Sequence, residues 1–150
     1  MKASIRLLPL LAACGLAACA AGPDTSYVAS LSAPTDATVI AAGIADFMKT
    51  QLPAASSTIV LDPTPSDQAG NALTPDLADR LRRQGFAVAQ GTAAGSHTLR
   101  YWVTPLDASG ELVRLMIDGR KEASRFFVRN TAGTLQSGGP FTVVQMEASR

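Results

Sequence analysis

Histidine and cysteine are scarce in this sequence, and their scarcity limits the chemistry that the chain can carry out. The only histidine is His97, and the two cysteines, Cys14 and Cys19, both lie near the N-terminus. Structural zinc sites need about four Cys or His ligands, and redox motifs place two cysteines closer together than these. A Gly-x-Ser-x-Gly nucleophile motif and a phosphate-binding Gly-Lys-Ser/Thr loop are also missing. The sequence therefore predicts a protein that is not an enzyme, with no cofactor and no metal ligands.

An excess of either charge is also missing. The chain has 13 basic and 12 acidic residues, and their near balance persists if the first 18 residues are removed. Non-specific binding to nucleic acid depends on clustered positive charge. Direct binding of nucleic acid is therefore not expected.

The N-terminal apolar run is too short to cross a bilayer, which needs about 20 apolar residues. It follows a basic head with Lys2 and Arg6 and ends in small residues, an order typical of a secretory signal peptide. The run contains Leu-Ala-Ala-Cys twice, at 11–14 and 16–19. This motif resembles the lipobox of bacterial lipoproteins, in which the cysteine is acylated after cleavage in front of it.

We favour Cys19 as the acylated residue, with Cys14 as the alternative and an unmodified secretory signal as a further possibility. Cleavage before Cys19 leaves a longer apolar core and a polar Gly, Pro and Ser-containing segment behind it. The expected organisation is a signal peptide at 1–18, a lipidated flexible tether at 19–34 and one periplasmic domain at 35–150. Ala20 after the cysteine favours, by resemblance to Gram-negative lipoproteins, anchoring in the outer membrane.

Two amphipathic helices are predicted in the first half of the domain. The first has apolar residues at three- and four-residue steps from Val39 to Leu52, with Thr35 or Asp36 as its cap and Pro53 after its end. The second begins with Thr74 as its cap and ends at Gly85.

Alternating or β-branched segments predict the strands, at 57–62, at 86–89, and then at 97–107, 112–118, 122–130 and 141–147. Residues 131–140 are rich in Gly, Ser and Thr and are predicted to form a loop. The expected fold class is α+β, with two helices packed on one face of a mostly antiparallel sheet. The order is α-β-α-β-β-β-β, counting the four strands of the last third.

Residue parity along the strands predicts which side chains share a face. Phe126 and Val128 are assigned to the helix side with the apolar residues of the two preceding strands. The opposite face mixes arginines with large apolar side chains, and its predicted members are Arg100, Trp102, Arg114, Met116, Arg125, Phe127 and Arg129. Three interpretations remain open: a solvated face with arginine stems over aromatic rings, a protein-docking surface, and a platform for single-stranded nucleic acid.

Several segments together resemble the TrbH family of conjugal-transfer lipoproteins. They are the lipobox, the helix–strand unit from Thr74 to Val88 and the hairpins built on 99–103, 112–115 and 124–127. The resemblance implies a subunit of the mating-pair formation apparatus, a type IV secretion system, without catalytic residues. Its expected partners are the bilayer, through acylated Cys19, and other secretion-channel proteins, with a homo-oligomer within the larger assembly as a further expectation. The alternative is an accessory lipoprotein that regulates a cell-envelope enzyme.

Overall fold

The structure, a computed structural model, describes residues 25–62, 72–89 and 91–146. The predicted signal peptide and both cysteines lie outside these residues. Within them are two helices, α1 (Pro34–Gln51) and α2 (Leu73–Arg83). The eight strands are β1 (Tyr27–Val28), β2 (Thr58–Leu61), β3 (Ala87–Ala89), β4 (His97–Leu106), β5 (Gly110–Ile117), β6 (Lys121–Arg129), β7 (Leu135–Ser137) and β8 (Thr142–Gln145). The α+β class is confirmed. Among the described residues no helix has the length and apolar content needed to span a membrane.

The N-cap of helix α1 lies two residues before Thr35, the first of the two predicted cap residues. Its cap is Ala33, and Pro34 takes the first helical position, where a missing N–H costs nothing. Asp36 lies one turn in, and its Oδ2 accepts the N–H of Ala33 at 3.0 Å. The Asp36 carboxylate thus stabilises the start of the helix from its third residue and not from the cap position. For this reason the predicted cap residues were wrong. The helix ends at Gln51, with Leu52 as its C-cap directly before Pro53, as predicted.

Helix α2 also begins earlier than predicted, at Leu73, with Ala72 in the N-cap position. The Thr74 hydroxyl lies 2.6 Å from the hydroxyl of Tyr101 on β4. The end of the helix is as predicted: Gly85 has a φ of +97°. Around it the N–H of Phe86 donates to Leu81 O and that of Gly85 donates to Arg82 O, both at 3.0 Å, which is the Schellman pattern.

The central sheet has the strand order β3-β2-β4-β5-β6-β7. β3, β2 and β4 run parallel, whereas the pairs from β4 to β7 are antiparallel, and β8 pairs antiparallel with β6 beside β7. The sheet is therefore mostly antiparallel, as predicted, and its parallel part follows from the helix that connects β2 to β3.

Strand β1 lies within the segment predicted to be tether. It pairs in parallel with β4 at Trp102 and Val103, beyond the point where β2 ends. Ser26, directly before β1, links the end of β2 to β4. Its hydroxyl donates to Asp62 O at 3.3 Å and accepts the N–H of Tyr101 at 3.1 Å. Ser26 and Val28 are buried. Residues 26–28, within the segment predicted to be tether, therefore belong to the folded domain.

Strand β7 lies within the segment predicted to be a loop. Leu135, its first residue, is 2 % exposed and pairs with Arg129. Sequence reasoning missed this strand because one buried leucine stands among Gly, Ser and Thr. After β7 the chain turns inward at Phe141, whose ring centroid lies 4.5 Å from that of Phe47 on α1.

Both helices pack on one face of the sheet, which we call the helix face. The apolar stripe of α1 and Leu77 and Leu81 of α2 belong to one buried core with the inward-facing residues of the sheet. The strand residues that close this core are Leu99, Tyr101, Val103, Val113, Leu115, Ile117, Ala123 and Phe127. The predicted core of β4 and β5 is confirmed, whereas that of β6 is not.

The error in β6 comes from the length of one turn. Asp118 and Gly119 have φ angles of 54° and 65°, and the N–H of Arg120 donates to Ile117 O at 3.1 Å. Ile117 nevertheless pairs with Lys121, so three residues separate the paired positions. A two-residue loop would pair Ile117 with Arg120 and would bring Phe126 and Val128 to the helix face. Because side chains alternate along a strand, the one-residue difference moves every β6 side chain to the opposite face.

Candidate functional site

The sheet surface turned away from the helices, which we call the outer face, is not covered by either helix. Cross-strand pairing fixes its membership: Trp102 pairs with Arg114 and Tyr27, Arg100 with Met116, and Leu112 with Phe126. Val128 and Val144 lie on the same face of β6 and β8. The outer face is defined here by Tyr27, Arg100, Trp102, Leu112, Arg114, Met116, Glu122, Ser124, Phe126, Val128, Thr142 and Val144.

The structure divides the predicted docking set between the two faces. Arg100, Trp102, Arg114 and Met116 share the outer face, as predicted. Arg125, Phe127 and Arg129 do not join them, because the register of β6 places them on the helix face. That part of the predicted set was wrong, and the loop length described above is the reason.

Exposed apolar side chains concentrate on the outer face. Six large apolar residues are exposed in the described part of the chain, and four of them lie here. They are Phe126, 55 % exposed, Val144, 56 %, Tyr27, 46 %, and Val128, 41 %. Sequence reasoning had placed Phe126 and Val128 in the core, and recognition of the three-residue loop would have found them. Apolar groups that stay in water after folding indicate a surface that another molecule covers.

The two arginines of the outer face are in different electrostatic states. Arg100 donates from Nε to Asp62 Oδ2, so its charge is neutralised within the chain. The Arg114 guanidinium lies 5.7 Å from the centre of the Trp102 ring and forms no ion pair with any described residue. Trp102 itself is only 8 % exposed. Arg114 therefore has no close carboxylate partner among the described residues, although Glu122 lies on the same face opposite Met116. An arginine beside exposed apolar side chains is a combination enriched at protein interfaces.

Arg125 binds β6 to the helix layer. Its guanidinium lies 5.2 Å from the ring centre of Phe127 and 5.3 Å from that of Phe141, and it donates to Ser137 Oγ. Burial lowers the pKa of Arg125, and the nearby carboxylate of Asp46 acts in the opposite direction. The position of this residue is structural, between α1 and the last two strands.

Arg129 has a similar structural role at the start of α1. It donates to both carboxylate oxygens of Asp36, at 2.9 and 3.2 Å, and to Gly133 O at 2.9 Å. Glu111 is 1 % exposed on the same side of the sheet, and its Oε2 has no hydrogen-bond partner. Burial raises the pKa of Glu111, an effect opposed by the positive charge of Arg129.

A pocket of about 540 Å³ lies between the end of α1 and the β5–β6 turn. It contains His97, whose Nδ1 lies 2.8 Å from Asp118 Oδ2. Ser96 donates its hydroxyl to Ala93 O at 2.6 Å, so it is not positioned as a nucleophile beside the His–Asp pair. In the described ranges no cluster of three or more His, Cys, Asp or Glu side chains could hold a metal ion.

Comparison with known proteins gives one match. A family model described as "Conjugal transfer protein TrbH" matches residues 21–147, which is most of the chain. No curated protein and no solved structure matches the chain. The match includes both helices, all eight strands and the whole outer face.

Proposed function

Because the chain belongs to the TrbH family of conjugal transfer proteins, we propose that it is a structural subunit of the conjugative type IV secretion apparatus. In this proposal Cys19 is acylated and holds the chain to the outer membrane. The domain lies in the periplasm and docks onto channel proteins. The role is one of position and contact, because the matched family is defined by conjugal transfer and not by a reaction.

The outer face carries the docking part of the proposal. On the face that holds Arg114, Phe126, Val128 and Tyr27 keep large apolar surfaces in water. No described carboxylate forms an ion pair with Arg114. Burying apolar surface yields about 25 cal/mol per Å², so covering these side chains favours association. A partner that offers a carboxylate to Arg114 and apolar side chains to its neighbours fits this surface.

The N-terminal sequence carries the anchoring part. The Leu-Ala-Ala-Cys motif at 16–19 stands directly before the polar segment that leads to the domain. Each buried CH₂ of an acyl chain contributes about 0.8 kcal/mol, so two or more chains hold a protein to a bilayer firmly. Cys19→Ser is therefore expected to release the chain from the membrane fraction, whereas Cys14→Ser is not.

A mating assay with a deletion strain tests the proposal. Deletion should abolish DNA transfer, and the wild-type chain should restore it. The double variant Arg114→Ala/Phe126→Ser should restore transfer poorly, because both contacts of the outer face are lost. Arg83→Ala is the matched control, since Arg83 is an exposed arginine on α2, away from the outer face. It should restore transfer fully.

Two results would contradict the proposal. Unimpaired transfer in the deletion strain would remove the chain from the transfer apparatus and favour the alternative role in regulating an envelope enzyme. Full complementation by the double variant, with normal amounts of protein, would show that the outer face does not dock. Mass spectrometry of the membrane-bound chain reports separately which cysteine is acylated.

A further inference from the structure

Strand β8 forms a short edge of the sheet whose four residues include no charge and no proline. It pairs with β6 on one side, and no described strand pairs with its other side. Natural sheets protect such edges with charged residues, prolines or bulges, because unpaired N–H and C=O groups attract further strands. Residues 142–146 are Thr, Val, Val, Gln and Met, without a charge or a proline.

Apolar exposure is concentrated on the same segment. All four residues of β8 are exposed, and Val143, Val144 and the following Met146 are exposed by 40 %, 56 % and 43 %. The opposite edge of the sheet differs, because β3 is short and Val88 in its middle is half-buried against the core. The exposed β8 edge is therefore a local property and not a feature of every edge in this fold.

From this edge we infer that β8 pairs antiparallel with β8 of a second copy of the chain. A strand edge binds another strand, and self-pairing places each residue opposite a residue of the same short segment. Charged residues there would meet like charges across a two-fold axis, whereas the uncharged segment pairs with itself without that cost. The self-complementary chemistry is the reason for assigning a second copy to this edge.

The structure also fixes the centre of the pairing. Directly opposed residues of two paired strands project to the same face of the sheet. A residue can therefore lie opposite the same residue of the second copy. Phe141 is turned inward against Phe47 and Pro140 has no N–H to donate, so the usable segment begins at Thr142. Pairing centred on Val144 places Val144 opposite Val144, Thr142 opposite Met146 and Val143 opposite Gln145. This register places each of the three exposed apolar side chains beside a side chain of the second copy.

The expected interface is small, since a pair of five-residue strands buries less than the roughly 800 Å² per partner of a standard interface. Two copies held in one assembly or on one membrane surface meet at a high effective concentration, which compensates for weak intrinsic affinity. The inference is independent of docking through the outer face.

Cross-linking in cells that express the full chain tests the inference. Directly opposed residues of antiparallel strands have Cα atoms about 4.5–5.5 Å apart, within the range of a disulfide. Val144→Cys should therefore give a covalent dimer under a mild oxidant. Val128→Cys is the matched control, because this exposed valine lies on β6, where β7 covers the edge. It should give none, and neither should the wild-type chain.

Second substitutions separate this inference from the proposed function. Adding Val143→Lys to Val144→Cys should remove the dimer by placing charge at the edge, whereas adding Phe126→Ser should leave it intact. Absence of a Val144→Cys dimer, or an equal yield from Val128→Cys, would overturn the inference. A cross-link from Val144→Cys to a different protein would also overturn it, because the occupant of the edge would then not be a second copy.

Discussion

Replacing Phe127 by alanine should destabilise the domain strongly, whereas the same replacement of its neighbour Phe126 should have little effect. Phe127 is 1 % exposed and lies against α1, where its ring is close to Gly43 and under the Arg125 guanidinium. Phe126 is 55 % exposed on the outer face. The two residues have identical side chains and adjacent positions, so the comparison tests the register of β6 directly.

The magnitude follows from burial. Removing a buried phenylalanine costs about 3–5 kcal/mol, a large part of the roughly 5–15 kcal/mol that stabilises a typical domain. The ring also supports Arg125, and such a contact adds about 0.5–1 kcal/mol. An exposed substitution usually changes stability by less than about 0.5 kcal/mol. With a urea dependence of roughly 1.5 kcal/mol per M, Phe127→Ala should lower the unfolding midpoint by about 2–3 M.

Urea unfolding of the purified chain, followed by circular dichroism and by the fluorescence of the single tryptophan, Trp102, measures both variants. If Phe127→Ala is too unstable to purify, Phe127→Leu provides a milder loss at the same site. Equal costs for the two alanine variants, or a larger cost for Phe126→Ala, would refute the register and the definition of the outer face with it.

Two further substitutions test the helix face. Gly43→Ala should destabilise the domain by about 1–3 kcal/mol despite the better helix propensity of alanine, because a Cβ there would lie 2.7 Å from Phe127 Cζ. This loss of stability, measured by urea unfolding, should be smaller in a Phe127→Leu background. An unchanged loss would contradict the contact between Gly43 and Phe127. Glu111→Gln tests the buried carboxyl group, whose pKa is raised by burial. The protonated carboxyl group contributes fully to the stability of the folded domain below the unfolded pKa of about 4.3, and this contribution is lost as the pH rises through the folded pKa. The stability of Glu111→Gln relative to the wild type should therefore increase from pH 3 to pH 7. A difference that stays constant with pH would contradict that assignment.

The sequence predicted the elements with strong periodic patterns. The apolar steps from Val39 to Leu52 and the alternation in β4 and β5 gave correct elements with correct faces, because each pattern fits one period only. β1 and β7 escaped prediction since each buries only one apolar side chain, Val28 or Leu135, and depends on a neighbouring strand for its hydrogen bonds.

The outer face was predicted only in part, and the reason is local. In Arg125-Phe126-Phe127-Val128 both parities contain an apolar residue, so alternation alone cannot choose the inward set. The choice depends on whether the turn after Ile117 has two or three residues, which Asp118-Gly119 leaves open. A difference of one residue in a turn thus decided which of two phenylalanines belongs to the candidate site.

The position of Ser26 under the sheet limits how far the domain could stand from a membrane. Seven residue steps separate Cys19 from Ser26, and a fully extended chain covers at most about 3.3–3.6 Å per step. An acyl group on Cys19 would then keep Ser26 within about 25 Å of the lipid surface. This is roughly half the distance that a flexible tether ending at residue 34 would allow. Tyr27, the next residue, lies on the outer face. With Cys19 acylated, a protein that contacts Tyr27 would therefore also lie within roughly that distance of the bilayer.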